Sequence, residues 1–178
     1  MMNIATDHDV YRHLLKEKFQ NPQIIFPKTV PRVLTSHYDS GVLGFYQGQL
    51  SGLKESTLKN YFSLNILTAD LGCPSELLLQ GELLSEHELC DMSVFEKMDS
   101  ADQDEIHDWV VDFKKRYDRD PGLIQFSRVA YSTEVDQALV AYSELYDPNG
   151  NNHFLLLFEK SKSGWRYSAE KALFQNWK

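Results

Sequence analysis

The sequence predicts an α+β fold in which N-terminal helices pack on a C-terminal antiparallel β-meander of four or more strands. Three observations lead there. Apolar residues recur at helical spacing over the first two thirds of the chain, beginning with Val10, Tyr11, Leu14 and Leu15 and ending with Ile106, Trp109, Val110, Phe113 and Tyr117. From Leu123 onward the period falls from about 3.6 to about 2 residues. The connections between the resulting runs are short and rich in Asp, Asn, Pro, Gly and Ser, which favours antiparallel neighbours.

The elements follow in order. Asp7 to Phe19 reads as the first helix, with Thr6 as its cap and Asn21-Pro22 as its stop. Gln23-Ile24-Ile25-Phe26 reads as a short strand cut by Pro27 and Pro31, and Ser36 to Gly52, with four glycines, as a loop. A second helix is predicted from Lys54 to about Asn65, with Leu58, Tyr61, Phe62 and Asn65 on one side. Glu76 to Gln80 suggests a strand, and Ser85-Glu86-His87-Glu88 has the S-x-x-E pattern that opens a helix. The longest amphipathic pattern runs from about Ala101 to Tyr117, capped by Ser100 and followed by the turn Asp118-Arg119-Asp120-Pro121-Gly122.

Four strands then read as Leu123 to Tyr131, Asp136 to Tyr146, His153 to Lys160 and Gly164 to Leu173. In the second of these, Ala138, Val140 and Tyr142 alternate with Leu139, Ala141 and Ser143, so both faces are apolar near its middle and both need cover. The expected arrangement sets the helices on one face and part of the N-terminal region, or a partner, over the other.

With 178 residues, 42% of them hydrophobic, the chain is the size of one domain spanning 1–178, its helical and mixed part covering about 1–120 and its meander about 122–174. The longest apolar run, Phe154 to Phe158, is far shorter than a membrane span, and the sequence predicts a soluble protein with no membrane contact. The start, Met1-Met2-Asn3-Ile4-Ala5-Thr6-Asp7, has no basic n-region and no apolar h-region. As the sequence stands this predicts a cytoplasmic protein, or a periplasmic or secreted one where a leader has been removed. Cys73 and Cys90 form no CxxC and read as two reduced thiols, or as a disulfide in an exported protein.

The formal charge of -8 argues against nucleic-acid binding. Its distribution is uneven. Between Glu82 and Asp112 eleven acids face one base, Lys97, so that this segment carries -10 and the rest of the chain +2. One reading makes Glu82, Glu86, Glu88, Asp104, Glu105, Asp108 and Asp112 an acidic docking face for a basic protein partner, with charge steering association. The plainer reading is the solvated outer face of two helices.

The segments Gly122 to Tyr131 (GLIQFSRVAY), Gln137 to Tyr142 (QALVAY), Phe154 to Lys160 (FLLLFEK) and Gly164-Trp165 resemble a family of uncharacterised bacterial proteins in which S-R-V-G-F precedes Q-A-L-V-Y, a leucine-rich strand, E-K and G-x-W. The upstream Trp109, Phe113 to Tyr117 and the Val10-Tyr11 helix fit the same order, and the similarity covers about the last seventy residues. It implies no activity. It does imply export, through a leader before the first helix, and the chain departs from the family there and at Ala130, where relatives carry glycine.

Arg128, within a predicted strand and flanked by Phe126 and Ala130 on its own face, needs a carboxylate partner or a bound anion if it points inward. The structural ion pair is the simpler expectation. The histidines at 8, 13, 37, 87, 107 and 153 form neither H-x-H nor H-E-x-x-H, so no metal and no cofactor are expected. There is no P-loop, no G-x-G-x-x-G after a strand and no G-x-S-x-G elbow. The sequence therefore points to a non-enzymatic interaction module of the immunity or inhibitor kind, using the acidic face. The alternative is a ligand-binding or hydrolytic domain whose concave sheet face forms a pocket with Arg128, Tyr131 and Tyr142.

Overall fold

The computed structural model describes residues 4–26, 40–65, 88–91, 106–119, 122–147 and 150–175. Four helices are present among them: α1 (Ile4–Lys18), α2 (Ser40–Gln47), α3 (Glu55–Asn65) and α4 (Ile106–Tyr117). The strands are β1 (Ile24–Ile25), β2 (Glu88–Leu89), β3 (Leu123–Phe126), β4 (Ala130–Tyr131), β5 (Gln137–Asp147), β6 (Gly150–Ser161) and β7 (Gly164–Gln175). They form one mixed sheet in the order β2-β1-β3-β5-β6-β7, with β4 also paired to β5.

The C-terminal meander is antiparallel, as its short turn-rich connections require. Beyond it, β1 joins β3 and β2 in parallel, two-residue pairings that the sequence did not announce. The α+β class is thus present, with a sheet longer than the meander alone. Each face of the central strand β5 is covered by a different part of the N-terminal region. Val10, Tyr11, Leu14 and Leu15 of α1 pack with Ala138, Val140, Tyr142, Leu156 and Phe158. On the opposite face Leu58, Tyr61 and Phe62 of α3, with Tyr46 and Leu50, pack with Leu139, Ala141, Leu155 and Leu157. The alternation along β5 therefore sorts its residues between two cores, so that helices lie on both faces instead of one.

Several local expectations are corrected. The helix α1 begins at Ile4, so Thr6 is inside it and is not its cap. The glycine-bearing stretch after Ser36 contains a helix, α2, because Val42, Leu43, Phe45 and Tyr46 are apolar enough at helical spacing to override Gly41 and Gly44. Glu88 lies in strand β2, where its backbone N–H donates to the carbonyl of Gln23 at 3.0 Å, and does not lie in a helix opened by Ser85. The loop expected between β5 and β6 is shorter than its polar composition suggested, since pairing continues to Asp147 and Gly150. The expected strand from Glu76 to Gln80 and the cap at Ser100 lie outside the described residues.

The most consequential difference is at the expected strand Leu123 to Tyr131, which is two strands. Phe126 pairs with Tyr142 and Ala130 with Leu139, so residues 127–129 oppose only residues 140–141. This is a β-bulge, and one inserted residue reverses the two-residue alternation. Phe126 accordingly belongs to the α1-side core and Ala130 to the α3-side core. The two do not share a face with Arg128 between them.

Candidate functional site

The bulge holds together because its freed backbone groups are taken up by side chains. The Ser127 N–H donates to the Ala141 carbonyl at 2.9 Å, but the return bond from the Ala141 N–H goes to Ser127 Oγ at 2.8 Å in place of the Ser127 carbonyl. That carbonyl accepts instead from the Tyr11 hydroxyl of α1 at 2.8 Å. Arg128 in turn donates its N–H to Asn65 Oδ1 at 3.0 Å and receives Asn65 Nδ2 on its carbonyl at 3.2 Å. A buried backbone group without a partner would cost about 1–3 kcal/mol, and here those of Ser127 and Arg128 are matched.

Gln137 plays the corresponding part at the other end of α3. Its Oε1 accepts from the Lys54 N–H at 2.8 Å and from Thr57 Oγ1 at 2.9 Å, while its Nε2 donates to the Gly52 carbonyl at 2.9 Å. It thereby satisfies donors at the start of α3 from the first position of β5. Beside it, Ser132 Oγ accepts from the N–H groups of Asp136 and Gln137 and donates to Asp136 Oδ1 at 2.6 Å. Lys54 Nζ pairs with Asp136 at 2.6 Å and Glu134 at 3.4 Å, which draws the Asp136 carboxyl below its ordinary range and the Lys54 ammonium above its own. The serine and arginine of S-R-V and the glutamine of Q-A-L-V thus sit where α3 and the sheet are tied together.

A second polar cluster lies between α1 and the bulge. Asp7 is 5% exposed, and Tyr131 donates its hydroxyl to Asp7 Oδ1 at 2.9 Å. Burial pushes the Asp7 carboxyl up to about 6, against the opposing pull of the Tyr131 bond and the nearby Arg128 cation. The Tyr131 and Tyr11 hydroxyls are driven far above the ordinary tyrosine range, first by burial and then by the Asp7 charge. The Nε of Arg128 is buried without a hydrogen-bond partner, and no ion pair among the described residues includes its guanidinium. The structural ion pair expected of Arg128 is thus not formed by direct contact; the Asp7 carboxyl is its electrostatic neighbour.

Of the three residues expected around a pocket, Tyr131 bonds to Asp7, and Arg128 acts on the Asp7 carboxyl through its charge. Tyr142 lies elsewhere in the same α1-side core, stacked on Phe154 at 4.8 Å and edge-on to Phe19 at 5.7 Å. Tyr131 packs against Trp165 at 5.6 Å. Asp7 was not singled out from the sequence, although a signal was present. It stands three residues before Val10 and four before Tyr11, which puts a carboxylate on the apolar stripe of α1.

Of the acidic residues, Glu82, Glu86, Asp104 and Glu105 lie outside the described residues. Glu88 is exposed on β2, at one end of the sheet order, and Asp108 and Asp112 stand one turn apart on α4, with Asp112 half-buried. The two parts are joined: the Asp91 N–H donates to the Tyr117 hydroxyl of α4 at 2.7 Å, and Arg116 lies 3.8 Å from the Asp91 carboxylate. Next to them Cys90 is a buried free thiol pushed above its ordinary range by burial, while Cys73 lies outside the described residues. Among the described residues no group of three or more His, Cys, Asp or Glu side chains is placed to hold a metal, and no helix is long and apolar enough to cross a membrane. No protein-family model, characterised relative or solved structure matches this chain.

Proposed function

We propose that this protein is a non-enzymatic interaction module whose acidic segment, from Glu82 to Asp112, takes a basic protein partner. The observation that carries this reading is the segregation of charge: eleven acids against one base over those residues, in a chain whose remainder is slightly basic. Eleven carboxylates in one segment repel one another, and association with a cationic surface relieves that repulsion while speeding encounter.

Two features support it. The sheet edge at β2 and the helix α4 that bears Asp108 and Asp112 are fastened together through Asp91 and Tyr117, which gives the acidic residues on both a common frame. The polar residues of the meander motifs, Ser127 and Gln137, are engaged in hydrogen bonds that hold the fold together.

The test is a tagged pull-down from lysate of the source organism at low and at high salt. The reading expects a stoichiometric basic protein, released by salt and lost when Asp104, Glu105 and Asp108 are together replaced by lysine. Recovery of no partner at either salt, or a partner indifferent to the triple replacement, sinks it.

A further inference from the structure

Among the described residues four have a positive φ: 82° at Gly52, 117° at Gly164, 51° at Asp118 and 55° at Val135. Two are glycines, and Asp118, just past the end of α4, is of a type that tolerates the left-handed region. Val135 is the misfit. A β-branched side chain crowds the neighbouring carbonyl there, and such a position ordinarily goes to Gly, Asn or Asp. The side chain of Val135 is also 41% exposed and belongs to neither core.

The turn between β4 and β5 closes without it. Ser132 accepts the Val135 N–H on its carbonyl at 3.0 Å and donates its own N–H to the Gln137 carbonyl at 2.9 Å, while its Oγ accepts the N–H groups of Asp136 and Gln137. Lys54 and Ser56 fasten the same turn to the start of α3. Glycine or asparagine at 135 would keep these bonds with less strain and no exposed apolar group. An exposed valine by itself is ordinary, and so is a left-handed turn residue. A strained and exposed apolar side chain, on a turn that other residues hold closed, calls for a contact outside the fold.

We propose that Val135 is a presented anchor, offered by the β4–β5 turn to a small apolar pocket with a basic rim on a partner protein. The rim follows from the flanking residues. Glu134 and Asp136, on either side of Val135, share one cation, Lys54, at 3.4 and 2.6 Å, whereas Glu55 and Glu159 each have their own in Lys59 and Arg166. The turn thus carries a surplus exposed carboxylate beside its apolar tip, and a basic rim complements it. This surface is separate from the acidic segment. The turn adjoins Gln137 at one end of β5, while Glu88 of β2 is level with Ile24, Leu123 and Leu145 toward the other.

The experiment uses the full chain and its Val135→Asn, Val135→Gly, Val135→Ile and Glu134→Lys variants as tagged baits in lysate of the source organism. The recovered protein is then purified and titrated against each bait, and melting temperatures are taken alongside. Val135→Asn and Val135→Gly are expected to raise the melting temperature by about 2–4 °C, the size expected for relief of one strained residue in a domain of this length. The same two variants are expected to weaken one partner by about tenfold or more, as loss of one buried apolar side chain does. Val135→Ile keeps that partner, and Glu134→Lys weakens it. A melting temperature that stays level or falls in Val135→Asn and Val135→Gly means that valine suits the turn, and overturns the proposal. It is equally overturned by binding that Val135→Asn leaves intact, by recovery of no partner, or by recovery only of the chain itself, which would make the occupant a second copy.

Discussion

The side-chain amide of Asn65 holds the backbone of Arg128 from both sides, its Oδ1 accepting the N–H at 3.0 Å and its Nδ2 donating to the carbonyl at 3.2 Å. In this way a buried residue of α3 stands in for the strand neighbour that the bulge removes. Asn65→Ala leaves the Arg128 N–H without its partner and the Arg128 carbonyl with only the Ser127 hydroxyl, 3.0 Å away. The expected loss is about 2–3 kcal/mol in urea unfolding at constant slope. A loss below about 0.5 kcal/mol would mean that the clamp contributes nothing.

Gln137 makes three bonds to the segment that opens α3. Its replacement by alanine is expected to cost about 2–3 kcal/mol, combining a lost cap with unsatisfied buried groups. Gln137→Glu keeps both acceptor bonds at a helix N-terminus and loses only the donor to Gly52, so it is expected to cost less than the alanine variant. The reverse order in thermal unfolding would contradict the capping role.

The two cores rest on buried side chains from β5 and β6. Phe158 is fully buried, and its truncation to alanine is expected to cost about 3–5 kcal/mol. Phe45 on α2 is 56% exposed, and its replacement by alanine is expected to change stability by no more than about 0.5 kcal/mol. Denaturant midpoints of the two variants measured side by side check the contrast.

Asp7 gives stability a sign in pH. Its carboxyl stands near 6 in the folded chain against an ordinary value of 3.8, so the folded state binds the proton more tightly than the unfolded one. The stabilisation from this group is complete below pH 3.8 and is lost as pH rises through about 6. Relative to Asp7→Asn, the unsubstituted protein is expected to lose about 3 kcal/mol across that window. Unfolding free energies of both proteins at pH 4, 5, 6 and 7, taken as differences, check both the direction and the window.

Local pattern alone decided much of this molecule. The stripe of Val10, Tyr11, Leu14 and Leu15 made α1, that of Leu58, Tyr61 and Phe62 made α3, and the change of period at Leu123 made the meander. These are properties of neighbours along the chain, since one buried face imposes one period. The alternation in β5 also announced that both of its faces would be covered. The carboxylate of Asp7 on the α1 stripe was equally legible, and marked a site where burial would act on charge.

What the tertiary structure alone decided is which groups meet across long separations. Nothing local to Leu123 to Tyr131 reveals an extra residue, because a bulge is defined by the count on the partner strand, here residues 140–141. That single insertion set Phe126 and Ala130 in different cores and took Arg128 out of the strand, where its charge acts on Asp7, 121 positions away in the sequence. The parallel pairings of β1 and the partners of Asn65 and Gln137 have the same origin. Hydrogen-bond satisfaction in a buried place is settled by what the fold brings near, and the sequence records only the groups that will need it.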